Sequence, residues 1–210
     1  MRYLALFFAL IATPLLAQPQ FPLPRVYTVT GVAPDDTLNI RATPDADSLI
    51  IGSLMPEQNT EILNLTEDQR WGMVSVREAI GWVSMRFLRE TPKTIGLAAD
   101  LPYGLPGELT CEGSEPFWAL HILTGETVRF TDYSQAQITP QTYTMLGASS
   151  PINRGVEVYA FTSPPITGFL RRNGGNRTSI EGVHGWTIYL LIERENGVTM
   201  VQGYCTALQP

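Results

Sequence analysis

Apolar residues along this chain fall into short runs of period two, interrupted by Gly, Pro, Asn and Asp, and no long stretch repeats them at helical spacing. Such alternation sets one face of an extended segment against a core and the other toward water, so it predicts strands. The first half is expected to form strands over 26–32, 38–41, 60–65, 73–76 and 79–83. Strands this short bury little alone, and closing them into a compact barrel removes long open edges. The second half is expected to form strands over 117–123, 128–131, 156–161, 186–192 and 198–205. The clearest of them places Trp186, Ile188, Leu190 and Ile192 on one face. Asn196-Gly197, which follows it, signals a hairpin because both residues tolerate positive φ. Over 90–107 the rhythm lapses while Pro92, Pro102, Gly104, Pro106 and Gly107 accumulate, as in a connector. The pattern therefore reads as all-β: a small barrel over 25–89, a linker over 90–107 and an antiparallel β-barrel-like domain over 108–210.

The N-terminus changes where this protein is expected to work. Arg2 precedes an apolar run over 3–17, followed by Gln18-Pro19-Gln20. A membrane-spanning helix needs roughly 20 apolar residues, whereas this run is shorter and contains Pro14. Residues 1–17 are thus expected to be a cleaved signal peptide. No cysteine follows within reach of the cleavage point, so a periplasmic or secreted protein is expected, with neither lipid anchor nor membrane span after processing. In that oxidising setting the two cysteines, Cys111 and Cys205, are expected to pair and tie the start of the second module to its end.

Composition narrows the partners. With 44% hydrophobic and 16% charged residues the chain can build a core. Its formal charge of −6 is spread without a basic stripe, which argues against nucleic acid held by phosphate neutralisation and against anionic lipid.

The first module carries Leu38-Asn39-Ile40-Arg41-Ala42-Thr43-Pro44, then Ile51-Gly52-Ser53-Leu54, then Trp71 and Val74, and finally Gly81-Trp82-Val83-Ser84 with Phe87-Leu88. In that order and spacing the set resembles the bacterial SH3 (SH3b) family, small barrels of exported and wall-associated proteins. Gly81 is expected to let the backbone pass under a large ring, and 84–88 to form a helical turn plugging one barrel end. The sequence departs from the family in lacking a glycine within 55–59 and in placing Gly72-Met73 where an aromatic commonly follows the tryptophan. The resemblance implies an SH3-like fold and binding of peptidoglycan peptides or an envelope protein. Trp71 and Trp82 are the candidate ligand-binding residues; the competing reading places both rings in the core, where tryptophan supplies much of a small barrel's apolar area.

In the second module, Cys111-Glu112-Gly113-Ser114-Glu115-Pro116-Phe117-Trp118 resembles the opening of uncharacterised exported bacterial domains with a Gly-x-Glu-Pro-Phe-Trp motif, whose Gly-x-Cys return is matched by Gly203-Tyr204-Cys205. That resemblance implies architecture and no activity. Trp118 and Glu115 join the candidate ligand-binding residues, Glu115 either as an acid beside an aromatic wall, with Glu112 as partner for sugar chemistry, or as a carboxylate bonded to backbone amides. His121 and His184 are not at zinc-site spacing, and no metal or cofactor is expected. With both cysteines bridged no thiol is left for a Cys-His peptidase, and no Gly-x-Ser-x-Gly elbow occurs. Residues 171–177, Arg-Arg-Asn-Gly-Gly-Asn-Arg, read as a solvated hairpin loop with some capacity to cradle an anion. The expected function is a non-catalytic binding protein; an inhibitor of an envelope lytic enzyme is the alternative, and a carboxylate-dependent glycan hydrolase comes last.

Overall fold

A computed structural model describes residues 23–77, 79–91, 108–123, 127–149, 158–179 and 182–207. The signal peptide expected at 1–17 and nearly all of the expected linker lie outside them. The described chain is almost entirely extended, with one 3-10 turn at Met85–Phe87 and no α-helix.

The first eight strands are β1 (Arg25–Val29), β2 (Leu38–Arg41), β3 (Ile50–Leu54), β4 (Asn59–Ile62), β5 (Asn64–Leu65), β6 (Trp71–Val76), β7 (Ala79–Ser84) and β8 (Leu88–Glu90). They form two antiparallel sheets, ordered β4-β1-β8 and β3-β2-β7-β6-β5, around a core of Val29, Leu38, Ile40, Leu54, Ile62, Val74 and Val83. On β2 the alternation holds as read: Leu38 and Ile40 are buried while Asn39 and Arg41 are half-exposed. At Gly81 a Cβ would run into the Ile40 side chain and stand 3.0 Å from Val76 Cγ2 and 3.2 Å from Ile51 Cδ1, so aliphatic side chains press on this backbone position. The 3-10 turn falls within 84–88 as expected and is pinned by two backbone bonds, Met85 N to Arg70 O (3.0 Å) and Thr30 N to Phe87 O (2.7 Å).

The remaining strands are β9 (Leu109–Ser114), β10 (Phe117–Leu123), β11 (Thr127–Asp132), β12 (Gln141–Thr144), β13 (Gly147–Ser149), β14 (Val158–Ser163), β15 (Ile166–Ser179), β16 (Gly182–Arg194) and β17 (Gly197–Thr206). They make one antiparallel sheet, ordered β12-β11-β10-β9-β17-β16-β15-β14-β13. Its outermost strands, β12 and β13, are consecutive in the chain and separated only by Met145 and Leu146. The chain thus bridges the sheet's two edges and leaves a nearly closed barrel. Ser163 Oγ donates to Thr144 O (3.0 Å) and Leu146 N to Thr162 O (2.8 Å) across that seam. Leu120, Ile122, Val128, Leu170, Ile188 and Leu190 fill the interior with no measurable exposure. Cys111 and Cys205 face each other across β9 and β17 and form the expected disulfide.

The Gly-x-Glu-Pro-Phe-Trp string acquires a packing explanation. Trp118 is only 2% exposed. Its indole lies flat over the backbones of two neighbouring strands, so that a Cβ on Gly203 would come within 2.5 Å of its Cζ2, and one on Gly113 would also press on Gln202 O at 2.7 Å. Two glycines are therefore required where the ring crosses, one in each of the two quoted motifs.

Residues 171–177 are not a loop. They lie inside β15, the fourteen-residue strand Ile166–Ser179, paired with β16 across a register shift between Arg172 and Arg177. The polar run had suggested solvent, but Arg172 points inward and is 7% exposed. Its guanidinium donates to Tyr159 Oη (2.8 Å) and Leu23 O (3.3 Å) and sits 4.8 Å from the Trp186 ring centroid and 5.4 Å from that of Tyr159. Aromatic faces and two acceptors replace part of the solvation the buried cation has lost, while its Nε finds no hydrogen-bond partner among the described residues.

The two units share a packed contact. Pro24 and Leu63 press on the backbone of β16 so closely that a Cβ on Gly185 would be 2.5 Å from Pro24 Cγ, and Val26 of β1 belongs to the second unit's core. At the same contact Glu61 of β4 is 6% exposed, accepting from Thr206 Oγ1 (3.0 Å) and from the Ala207 amide (3.2 Å).

Candidate functional site

Trp71 opens β6, and the segment before it is stiffened by side-chain oxygens that stand in for missing ladder partners. Thr66 Oγ1 accepts from Trp71 N (3.1 Å), Thr66 N donates to Trp71 O (3.0 Å), and Asp68 Oδ1 accepts from Thr66 Oγ1 (2.6 Å) and Arg70 N (3.1 Å). The Thr66 hydroxyl, followed by the Arg70 amide, holds the Asp68 carboxyl below its ordinary range, so it is ionised at neutral pH. On the other side, Arg41 Nη1 donates to Ser48 O (2.7 Å), Thr43 N to Ser48 Oγ (3.0 Å) and Asp47 N to Asp45 Oδ1 (2.8 Å), fixing the loop after β2.

These fixed segments enclose two adjoining concavities. One of about 730 Å³ has Leu38, Met85, Phe87 and Trp71 in its walls and Arg41, Arg70 and Arg86 as its cations, with Asp36 as its one carboxylate. The other, of about 740 Å³, carries Asp45, Glu67 and Asp68, with Arg70 as its one cation. Ala46, Arg70 and Trp71 belong to both, so they form one groove with the Trp71 ring where its halves meet. Arg86 stacks over the Phe87 ring at 4.3 Å, which leaves its N–H edge for a ligand. Arg70 and Asp68 approach only to 3.9 Å and both are well exposed, a pair too weak to occupy either group.

Of the four candidate ligand-binding residues, only Trp71 lines this groove. Trp71 and Trp82 are both half-buried and lie outside the buried core of the first unit. Trp82 stands opposite Met73 and Arg41 on neighbouring strands, diagonal to Trp71 on the outer face of the sheet. Met73, which replaces the expected aromatic, thus flanks Trp82. Trp118 is a core residue, packed against Phe130 at a centroid distance of 6.1 Å. Glu115 lies exposed in the turn between β9 and β10, next to Phe117, which is 63% exposed.

The arginines of the groove were missed as a group because they come from three separated segments. Arg41 stood in the quoted motif, Arg70 precedes Trp71 and Arg86 precedes Phe87, so adjacency to aromatic or motif residues was the available signal. His121 lies on β10 opposite Thr110 and Arg129 and is held below its ordinary pKa by burial and by Arg129. His184 stacks on Tyr204. Among the described residues no group of three or more His, Cys, Asp or Glu side chains is arranged so that it could hold a metal ion, and no helix is long and apolar enough to cross a membrane. Compared with family models, curated proteins and solved structures, the chain matches none.

Proposed function

We propose that this chain is an exported, non-catalytic binding protein whose first, SH3b-like module holds a carboxylate-bearing peptide of the cell wall, or such a segment of an envelope protein, in the Trp71 groove. The observation that carries this reading is the meeting of an aromatic wall with three arginines in a chain whose net charge is −6. Guanidinium forks match carboxylates bidentately, and an indole face supplies apolar area without much lost freedom. Trp71 begins β6 while Arg77, whose carbonyl meets Gly182 of the second unit, follows its end, roughly 20 Å away along the strand at about 3.3 Å per residue.

Purified protein mixed with insoluble peptidoglycan and centrifuged tests the proposal. Wild type is expected in the pellet, released by salt because the contacts are ionic, and Trp71→Ala in the supernatant. Wild type remaining soluble, or Trp71→Ala pelleting equally, would sink the reading. A second reading, inhibition of an envelope lytic enzyme, is favoured by the projecting Glu115-Pro116-Phe117 turn. Loss of lysis inhibition on Glu115→Lys with pelleting unchanged would select it.

A further inference from the structure

The groove is not uniformly basic, and its two halves have opposite sign. Arg41, Arg70 and Arg86 oppose Asp36 alone in one half, whereas Asp45, Glu67 and Asp68 oppose Arg70 alone in the other, with Trp71 between. A ligand carrying only carboxylates would satisfy the first half and be repelled by the second. One carrying only amines would meet the reverse. From this charge layout we infer that the groove takes a short zwitterionic peptide in one direction, its terminal carboxylate among Arg41, Arg70 and Arg86 and a free ammonium group among Asp45, Glu67 and Asp68.

This inference rests on the peptide-binding reading above and specifies its ligand class. The size is consistent: each half, at about 730 and 740 Å³, falls within the range of small-molecule sites, about 300–1,000 Å³. Trp71 at the junction offers its face to the aliphatic stem that joins the two charges, and its π-cloud favours an ammonium approaching from the acidic side. The walls are held by backbone and side-chain bonds on both flanks, at Thr66–Trp71 and at Arg41–Ser48, so little ordering is required on binding. Reversing the peptide would set like charges against each other at both ends, which makes the direction unique.

The test uses the full mature chain and four forms of one synthetic probe, Ala-Glu-Lys-Ala: free, C-terminally amidated, blocked by acetylation at both the lysine Nε and the N-terminal amine, and blocked at all three positions. Binding is followed by tryptophan fluorescence and calorimetry. Loss of a charge-assisted contact is expected to weaken binding about tenfold or more for either block. Arg86→Gln is expected to shrink the penalty for amidation and leave that for acetylation, and Glu67→Gln to do the opposite. Both residues are exposed, so neither change threatens the fold. Equal affinity for all four probes would overturn the inference while leaving peptide binding intact. Trp71-dependent pelleting with wall polymer but no peptide affinity would also overturn it, and failure of both assays would remove the underlying reading as well.

Discussion

Replacing Glu61 by glutamine should make the protein more stable at neutral pH and remove a pH dependence that the wild type carries. Burial between the two units pushes the Glu61 carboxyl up to about 7 from an ordinary 4.5, against the opposing pull of the Thr206 hydroxyl and the Ala207 amide. At 1.36 kcal/mol per pH unit that displacement corresponds to about 3 kcal/mol. The sign follows from proton counting. Between pH 4.5 and 7 the folded chain keeps the Glu61 proton and the unfolded chain has lost it, so stability declines as pH rises through this window and levels off above it. Full stabilisation from this group is present below 4.5. Glutamine preserves a carbonyl to accept from Ala207 N and an amide to face Thr206 Oγ1, but it cannot ionise.

Urea unfolding of wild type and Glu61→Gln at half-unit steps from pH 4.5 to 8.5 checks this. The difference between the two is expected to be small at the acid end and to grow to about 3 kcal/mol in favour of the variant by pH 8. Taking the difference cancels every other titrating group. Curves that stay parallel over the whole range would refute the reasoning, because they would mean that the carboxyl is solvated and the two units do not close over it.

Trp118→Ala, which empties a core position lying over Gly113 and Gly203, should cost about 3–5 kcal/mol by thermal or urea unfolding, far more than Trp71→Ala at the groove. Reduction of Cys111–Cys205, whose sequence separation is 94, should destabilise the second unit by about 4–5 kcal/mol in the chain-entropy model, read as a lower urea midpoint in dithiothreitol. Asp132 would be raised by burial, but the Ser134 hydroxyl, Arg194 guanidinium and Gln135 amide bring it down to about 2. Its depressed value means that its stabilising contribution is present above the ordinary 3.8 and is lost as pH falls toward 2. Asp132→Asn should therefore flatten the acid limb of the stability curve.

Where a segment has one wet face and one dry face, alternation located it well. The expected strands at 38–41 and 117–123 coincide with β2 and β10, and the face shared by Trp186, Ile188, Leu190 and Ile192 is buried throughout. Gly197 takes φ +129 in the hairpin that Asn196-Gly197 had marked. Strands with a weaker pattern escaped. β3 holds Gly52 and keeps Ile50 exposed while Leu54 is buried, so its apolar residues do not alternate cleanly. β15 carries consecutive arginines and glycines, and only its pairing with β16 and the inward turn of Arg172 onto Tyr159 and Trp186 make it a strand. A buried arginine solvated by aromatic rings has no signature in one sequence, because its partners come from other strands.

The features hardest to read cluster where the two units touch, and there is a common cause. Period-two reasoning assigns every second residue to water, an assumption that fails when a second unit covers the outer face. On β4 the residues Thr60, Glu61 and Ile62 are all buried, and on β16 Val183, Gly185 and Thr187 are buried alongside the inward-facing Trp186 and Ile188. Glu61 alternates out of its own barrel and would read as solvated, yet Thr206 and Ala207 of the other unit close over it. The same reasoning explains why the groove was half legible. Trp71 and Trp82 drew notice through their types and spacing, but the charges that give the groove its polarity come from the end of β2 and the loops on either side of it, from the turn before β6 and from the turn after β7. Each of those loops looks like ordinary polar surface by itself, and only the fold brings their opposite charges to either side of one ring.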